Sequence, residues 1–190
     1  MDNNTYETGF KKLKFFTDFL ATEGITMEQA ALAVDKTRPS ISHWIAVDDA
    51  RLSQLQTIIE SFGYEFEIFL TREEDEGIGD KKIAVDDFIA LNREDYHPKR
   101  LTFLTLALRR YDIGKVELAR RIGVQYTAVR YYWAQDDITI STLMKIVEVC
   151  DFSIRISIKK KSLISKEDTT SKKSRRYYTV QITKDTSIEI

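Results

Sequence analysis

Apolar residues recur along this chain with two alternating periods, and the alternation itself repeats. From Phe10 they fall at Leu13, Phe16, Phe19 and Leu20, the i, i+3, i+6, i+7 rhythm of an amphipathic helix, which Gly24 is placed to end. Thr26 is predicted to cap a second helix over 27–34, because its hydroxyl can accept a free first-turn N–H, and Glu28 adds negative charge at the positive helix end. Thr37 is the expected cap of a third helix, with Arg38 and Pro39 in its first turn, where proline forfeits no hydrogen bond. Ile41, Trp44 and Ile45 form its inward stripe, which leaves Arg38, Ser42 and His43 facing out. A fourth helix over 52–62 buries Leu55, Ile58, Ile59 and Phe62 and stops at Gly63. The period then drops to two: YEFEIFL, residues 64–70, reads as a strand.

Shifted by 88 positions, this plan recurs without a gap. Leu13, Phe15, Leu20 and Ile25 fall on Leu101, Phe103, Leu108 and Ile113; Ala31 falls on Ala119 and Asp48-Asp49 on Asp136-Asp137; Leu55, Ile58, Glu60 and Ile68 fall on Leu143, Ile146, Glu148 and Ile156. Register held through five elements implies tandem duplication. The organisation expected is one repeat over 10–70, a linker over 71–100 that opens with TREEDEGIGD and has room for one short helix at 83–91, a second repeat over 101–160, and a basic tail over 161–190. The stretch KKKSLISKEDTTSKKSRR has the low-apolar, high-charge signature of a mobile segment. Alternation resumes at YYTVQIT, with Tyr178, Val180 and Ile182 on one face, and predicts one or two strands that can join those ending the repeats.

The formal net charge of −1 conceals a polarity between the halves. Residues 1–75 carry 7 Lys/Arg and 14 Asp/Glu, a balance of −7; residues 76–100 carry 5 and 6, or −1; residues 101–190 carry 17 and 10, or +7. A basic half can bind polyanions although the whole chain is nearly neutral. Cys150 is the single cysteine, which excludes an intramolecular disulfide framework and fits a reducing compartment. The first residues lack the apolar core of a signal peptide and no 18-residue apolar run occurs, so the expected location is cytoplasmic. No phosphate-binding glycine loop, Cys/His ligand cluster or Ser/His/Asp set is recognisable, so no catalytic residue, metal or cofactor is expected. The Asp48-Asp49 and Asp136-Asp137 pairs precede a fourth helix in each copy and fit its amino-terminal charge preference.

The stretch GKVELARRIGVQYTAVRYYW, residues 114–133, and its counterpart TMEQAALAVDKTRPSISHWI, residues 26–45, carry a resemblance. The pattern Thr-x-x-x-x-Ala, a turn about four residues on, then a Ser or Thr cap followed by x-x-x-Ile-Ser-x-aromatic resembles the Cro/C1-type helix-turn-helix family, also called XRE-like or lambda-repressor-like. Thr26, Ala31, Thr37, Ile41, Ser42 and Trp44 match it in the first copy. In the second, Ala119, Gly123, Val124, Val129 and Tyr132 match, whereas Gly114, Gln125 and Arg130 depart from it. The resemblance covers roughly two-thirds of the chain. It implies a mainly α fold: two tandem lambda-repressor-like helix-turn-helix units, each ending in a β-strand, plus a short C-terminal strand or hairpin.

It also implies sequence-specific binding of double-stranded DNA by a transcriptional regulator such as a repressor, with each third helix in the major groove and each second helix across the backbone. By position the reading residues are Tyr126, Thr127 and Tyr131 in the second copy and Arg38, Pro39 and His43 in the first. Arg130 and Ser42 stand beside them, and Lys115 occupies a phosphate-contact place where the first copy has Met27. Arginine reads guanine bidentately, threonine contacts a thymine methyl, and a tyrosine hydroxyl reaches phosphate. Charge selects the second copy as the dominant reader, since backbone electrostatics supply most nonspecific affinity. The first copy then reads a second half-site weakly or serves as a pairing surface. The alternative is a protein-interaction factor of antitoxin or phage type, in which the helix-turn-helix units or terminal strands hold a protein partner or form a homodimer. RNA stacking on the exposed tyrosines is a further option, though no RNA-module signature is present.

Overall fold

The computed structural model describes residues 11–72, 99–161 and 177–182. In chain order the elements are α1 (Lys14–Thr22), α2 (Met27–Leu32), α3 (Arg38–Val47), α4 (Leu52–Ser61), β1 (Tyr64–Thr71), α5 (Thr102–Arg110), α6 (Lys115–Ile122), α7 (Tyr126–Gln135), α8 (Ile140–Val149), β2 (Ser153–Lys160) and β3 (Tyr177–Ile182). The protein is mainly helical with an antiparallel sheet of order β1-β2-β3. The bounds of α1, α3 and α4 reappear as those of α5, α7 and α8 with the same 88-residue shift read from the apolar pattern. The helix expected within 83–91 and the basic stretch after 161 lie outside the described residues.

Local chemistry explains where the helices stop and start. Four equivalent positions in each repeat hold the left-handed conformation, and each is filled by glycine or aspartate: Gly24 and Asp112, Asp35 and Gly123, Asp48 and Asp136, Gly63 and Asp151. These are residue types that adopt positive φ at least cost. At Gly123, φ is +67° and an added Cβ would meet nothing within 4 Å, so the penalty for a side chain there is conformational, not steric. Gly123→Ala is expected to cost about 1 kcal/mol in urea unfolding, and Gly123→Asp less, because Asp35 already holds the equivalent place in the first repeat.

Thr26 opens α2 with a full capping box: its side chain accepts from Gln29 N at 3.2 Å while Gln29 Oε1 accepts from Thr26 N at 2.8 Å. Thr37 stands at the N-cap of α3, but its hydroxyl lies 3.1 Å from Ser40 Oγ and bonds no backbone amide. The amino end of α1 is held from a distance instead. Asp48, the left-handed residue that ends α3, accepts from Lys12 N at 2.7 Å and Leu13 N at 2.9 Å. Asp136 does the same for Arg100 N at 2.6 Å and Leu101 N at 3.0 Å. Each third helix is thereby braced against the start of its own first helix.

The second aspartate of each pair corrects the sequence expectation, for it caps the fourth helix of the other repeat. Asp137 accepts from Ser53 N at 3.0 Å and from the Ser53 hydroxyl at 2.7 Å, with Arg51 at 3.5 Å. Asp49 accepts from Ser141 N at 2.8 Å. The left-handed turn at Asp48 and Asp136 redirects the chain so that the following carboxylate points across the contact between repeats. There, Leu52 N donates to Ile138 O and Ile140 N to Ala50 O, each at 2.9 Å, flanking an antiparallel bridge between Arg51 and Thr139.

The strands join the repeats a second time. β1 pairs antiparallel with β2 with Ile68 opposite Ile156, and β2 pairs with β3 with Ile156 opposite Val180. Phe16, Phe19, Leu55, Ile58, Leu104, Leu143, Ile146 and Ile156 belong to one buried apolar cluster that runs through both repeats. Phe15 stacks on Phe66 at 6.1 Å and Phe19 meets Tyr64 edge-on at 5.1 Å, which seats α1 on β1. Glu67 bonds Lys159 at 2.6 Å, and Arg155 lies over the Phe69 ring.

Candidate nucleic-acid interface

The second and third helices of each repeat meet across a compact turn. Lys36 N donates to Ala31 O at 2.9 Å in the first repeat, and Val124 N to Ala119 O at 3.0 Å in the second. Ala31 and Ala119 are buried, and their small side chains let the helices cross closely. Ile41 and Val129 anchor α3 and α7 in the core with no exposed surface. Trp44, Ile45, Tyr132 and Trp133 are half-buried around them, and Trp133 Nε1 donates to Thr105 Oγ1 at 2.9 Å. Anchoring one face by these contacts fixes which residues remain outward.

In the second repeat those are Tyr126, Thr127, Arg130 and Tyr131, all exposed as the apolar spacing predicts; Tyr126 and Tyr131 are 44% and 55% exposed. Tyr126, Arg130 and Tyr131 have no side-chain partner among the described residues, so they meet a ligand without first breaking a bond. Lys115, also exposed, sits with its ammonium 4.8 Å from the Trp133 ring centroid, a cation–π contact that steers it toward α7.

The first repeat is arranged differently. Arg38, Pro39 and His43 are exposed, but Arg38 is tied to Glu28 at 3.1 Å. Ser42, expected to face out, is half-buried, and its hydroxyl lies 3.3 Å from Met27 Sδ in the contact between α2 and α3. Its position on the wheel is at the edge of the inward stripe, and the bulky Met27 side chain covers it.

Glu117 is a site residue that periodicity did not single out. Its carboxylate bonds Arg120 twice, at 2.8 and 2.7 Å, and Arg121 at 2.7 Å. Hydrogen bonds from Arg120 and then Arg121 lower its pKa from the ordinary 4.5 to about 2. The depressed value means that any stabilisation from these pairs is present above the ordinary carboxylate range and is lost as pH falls through about 2, so the cluster is unchanged across neutral pH. The signal was available in the register: Glu117 is the equivalent of Gln29, which serves the Thr26 capping box, and Gly114 offers no side chain for such a box. Freed from capping, Glu117 turns to the arginines of the next turn. Glu117→Gln is therefore expected to release Arg120 and to loosen Arg121, which also interacts with the Cys150 thiol. Affinity for random duplex DNA should rise on the order of a few-fold, with a steeper salt dependence; unchanged titrations would place Arg120 and Arg121 away from the duplex.

Charge separates the two helix pairs locally as well as globally. Residues 26–47 carry Lys36 and Arg38 against Glu28 and Asp35, a balance of zero. Residues 114–135 carry Lys115, Arg120, Arg121 and Arg130 against Glu117, a balance of +3. Cys150 is buried, and desolvation pushes its thiol pKa up. Among the described residues no group of three or more His, Cys, Asp or Glu is placed to hold a metal ion, and no helix is long and apolar enough to cross a membrane. No protein-family model matches the chain, and neither the curated proteins nor the solved structures contain a match.

Proposed function

We propose that this protein binds double-stranded DNA sequence-specifically, as a transcriptional regulator built from two tandem lambda-repressor-like helix-turn-helix units. Each third helix enters the major groove, and the second repeat supplies most of the affinity. The observation that carries the proposal is α7: a helix anchored by Val129 along one face, with Tyr126, Arg130 and Tyr131 outward and without side-chain partners among the described residues, next to Lys115 in a segment of charge +3. Phosphate attraction positions such a helix, and the outward side chains then reach base edges. Selection of bound sequences from a random duplex library, followed by a salt titration on the selected site, tests it. A recurrent sequence and a log-affinity that falls linearly with log salt are expected. Failure to bind any duplex at low salt would overturn it.

A second function draws on the sheet. Among the described residues β1 is an edge of the order β1-β2-β3, and an edge strand can accept an extended segment of a protein partner, as an antitoxin or phage-encoded factor would use it. Such a partner would bind without the steep salt dependence of a polyanion.

A further inference from the structure

Tandem repeats can be related by translation, as in a solenoid, or by a two-fold rotation, and the two relations present their reading helices differently. Under a two-fold, contacts are reciprocal: if residue i of one unit touches j of the other, then j of the first touches i of the second. Four sets of contacts in this protein obey that rule at the 88-residue shift. Ile68 pairs with its own equivalent Ile156 in the sheet, and Arg51 bridges its own equivalent Thr139. Leu52 N to Ile138 O is mirrored by Ile140 N to Ala50 O. The bond from Ser53 N to Asp137 is mirrored by that from Ser141 N to Asp49. Lys12 Nζ reaches Ser141 at 2.7 Å while its equivalent Arg100 reaches Gln56, not Ser53, at 2.9 Å, so both basic positions cross to the other repeat but their partners are not equivalent. A pseudo-two-fold axis therefore passes through the centre of the β1–β2 pair and through the Arg51–Thr139 bridge.

The third helices feed directly into that bridge. α3 ends at Val47 and α7 at Gln135, each four residues before the residue on the axis, while α4 and α8 lead from the bridge to the strands. Both reading helices thus end close to the same point on the axis, and the rotation exchanges one with the other. The residues at their reading positions do not share the symmetry of the frame, and one of them, Ser42, is half-buried against Met27. At the four equivalent reading positions Arg38 faces Tyr126 in role, Pro39 faces Thr127, Ser42 faces Arg130 and His43 faces Tyr131. All four differ.

Building on the DNA-binding proposal, we infer that one chain occupies one operator made of two dissimilar half-sites in inverted orientation, with centres about one helical turn, roughly 34 Å, apart. The two-fold frame sets the inversion, and the unlike helices make the operator non-palindromic. Direct repeats are excluded by the same rotation that pairs Ile68 with Ile156.

Transplanting the reading residues of the second repeat onto the first tests the orientation. The variant Arg38→Tyr, Pro39→Thr, Ser42→Arg, His43→Tyr, checked for native circular dichroism, should select a palindrome from a random duplex library. Selection of a direct repeat would overturn the inference while leaving DNA binding intact. The unaltered chain supplies an independent measurement that needs no substitution. Native mass spectrometry should find one chain per selected duplex, hydroxyl-radical footprinting should protect two successive turns, and scrambling either half should weaken binding about tenfold or more. Protection of a single turn, or two chains per duplex with each covering one half, would also overturn it. Absence of duplex binding by the unaltered chain would instead remove the DNA proposal on which it stands.

Discussion

Replacing Tyr126 and Arg130 together with alanine is expected to weaken binding to a selected duplex by about 100-fold or more, whereas Arg38→Ala with His43→Ala should cost about tenfold. The difference follows from what each side chain must give up. Tyr126 and Arg130 stand exposed and, among the described residues, without side-chain partners, so their whole interaction with a base or phosphate would be gained on binding. Arg38 is held by Glu28 at 3.1 Å, and that pair must open or turn before the guanidinium can read a guanine. The surroundings act in the same direction, at +3 for residues 114–135 and zero for residues 26–47. All four residues are exposed, so the truncations should leave the fold intact. Fluorescence anisotropy at one fixed salt concentration measures both losses. Equal losses would mean that the two repeats contribute equally and that charge does not choose between them.

The second large effect concerns stability. Asp137→Ala is expected to destabilise the protein by about 2–3 kcal/mol, since it removes a helix cap, leaves Ser53 N without its acceptor and strands the Ser53 hydroxyl in a half-buried place. Asp49→Ala should cost about 1 kcal/mol, because Thr139 also accepts from Thr142 N at 3.2 Å and keeps α8 partly capped. Arg51, at the N-cap of α4, gives that helix no such reserve. Urea unfolding measures the totals. Amide exchange identifies the crossed geometry: Asp137→Ala should accelerate Ser53 in the first repeat, and Asp49→Ala should accelerate Ser141 in the second. Acceleration confined to the repeat carrying the substitution would refute the crossed caps.

Much of the fold could be read from spacing. Leu13, at the N-cap of α1, and Phe16, Phe19 and Leu20 within it are all buried, and the 88-residue shift recovers the bounds of α3 and α4 in α7 and α8. Periodicity records which side of an element is apolar, and burial depends on that side. It carries no information on which distant group completes a hydrogen bond, so the crossed caps were hidden. A clue did exist, in that Asp-Asp recurs in both copies while an arginine stands where α4 needs a cap. The left-handed aspartates were missed for a related reason. Glycine advertises positive φ, but Asp35 and Asp112 do so only when aligned with Gly123 and Gly24. The outward residues of α7 were legible because Val129 fixes the wheel. Ser42 was not, since the side chain that covers it, Met27, comes from a different helix.

The strand pair and crossed caps have a consequence for dose response. When two reading units are separate molecules, dilution below their association constant empties the pair, and occupancy of a site rises sigmoidally with concentration. Two units joined in one chain by Ile68–Ile156 pairing and by Asp49 and Asp137 have no association step to lose. A regulator of this build would fill its site along a simple hyperbola, with a Hill coefficient near one and no threshold at low copy number. It would trade a sharp switch for a graded response that persists when few molecules are present.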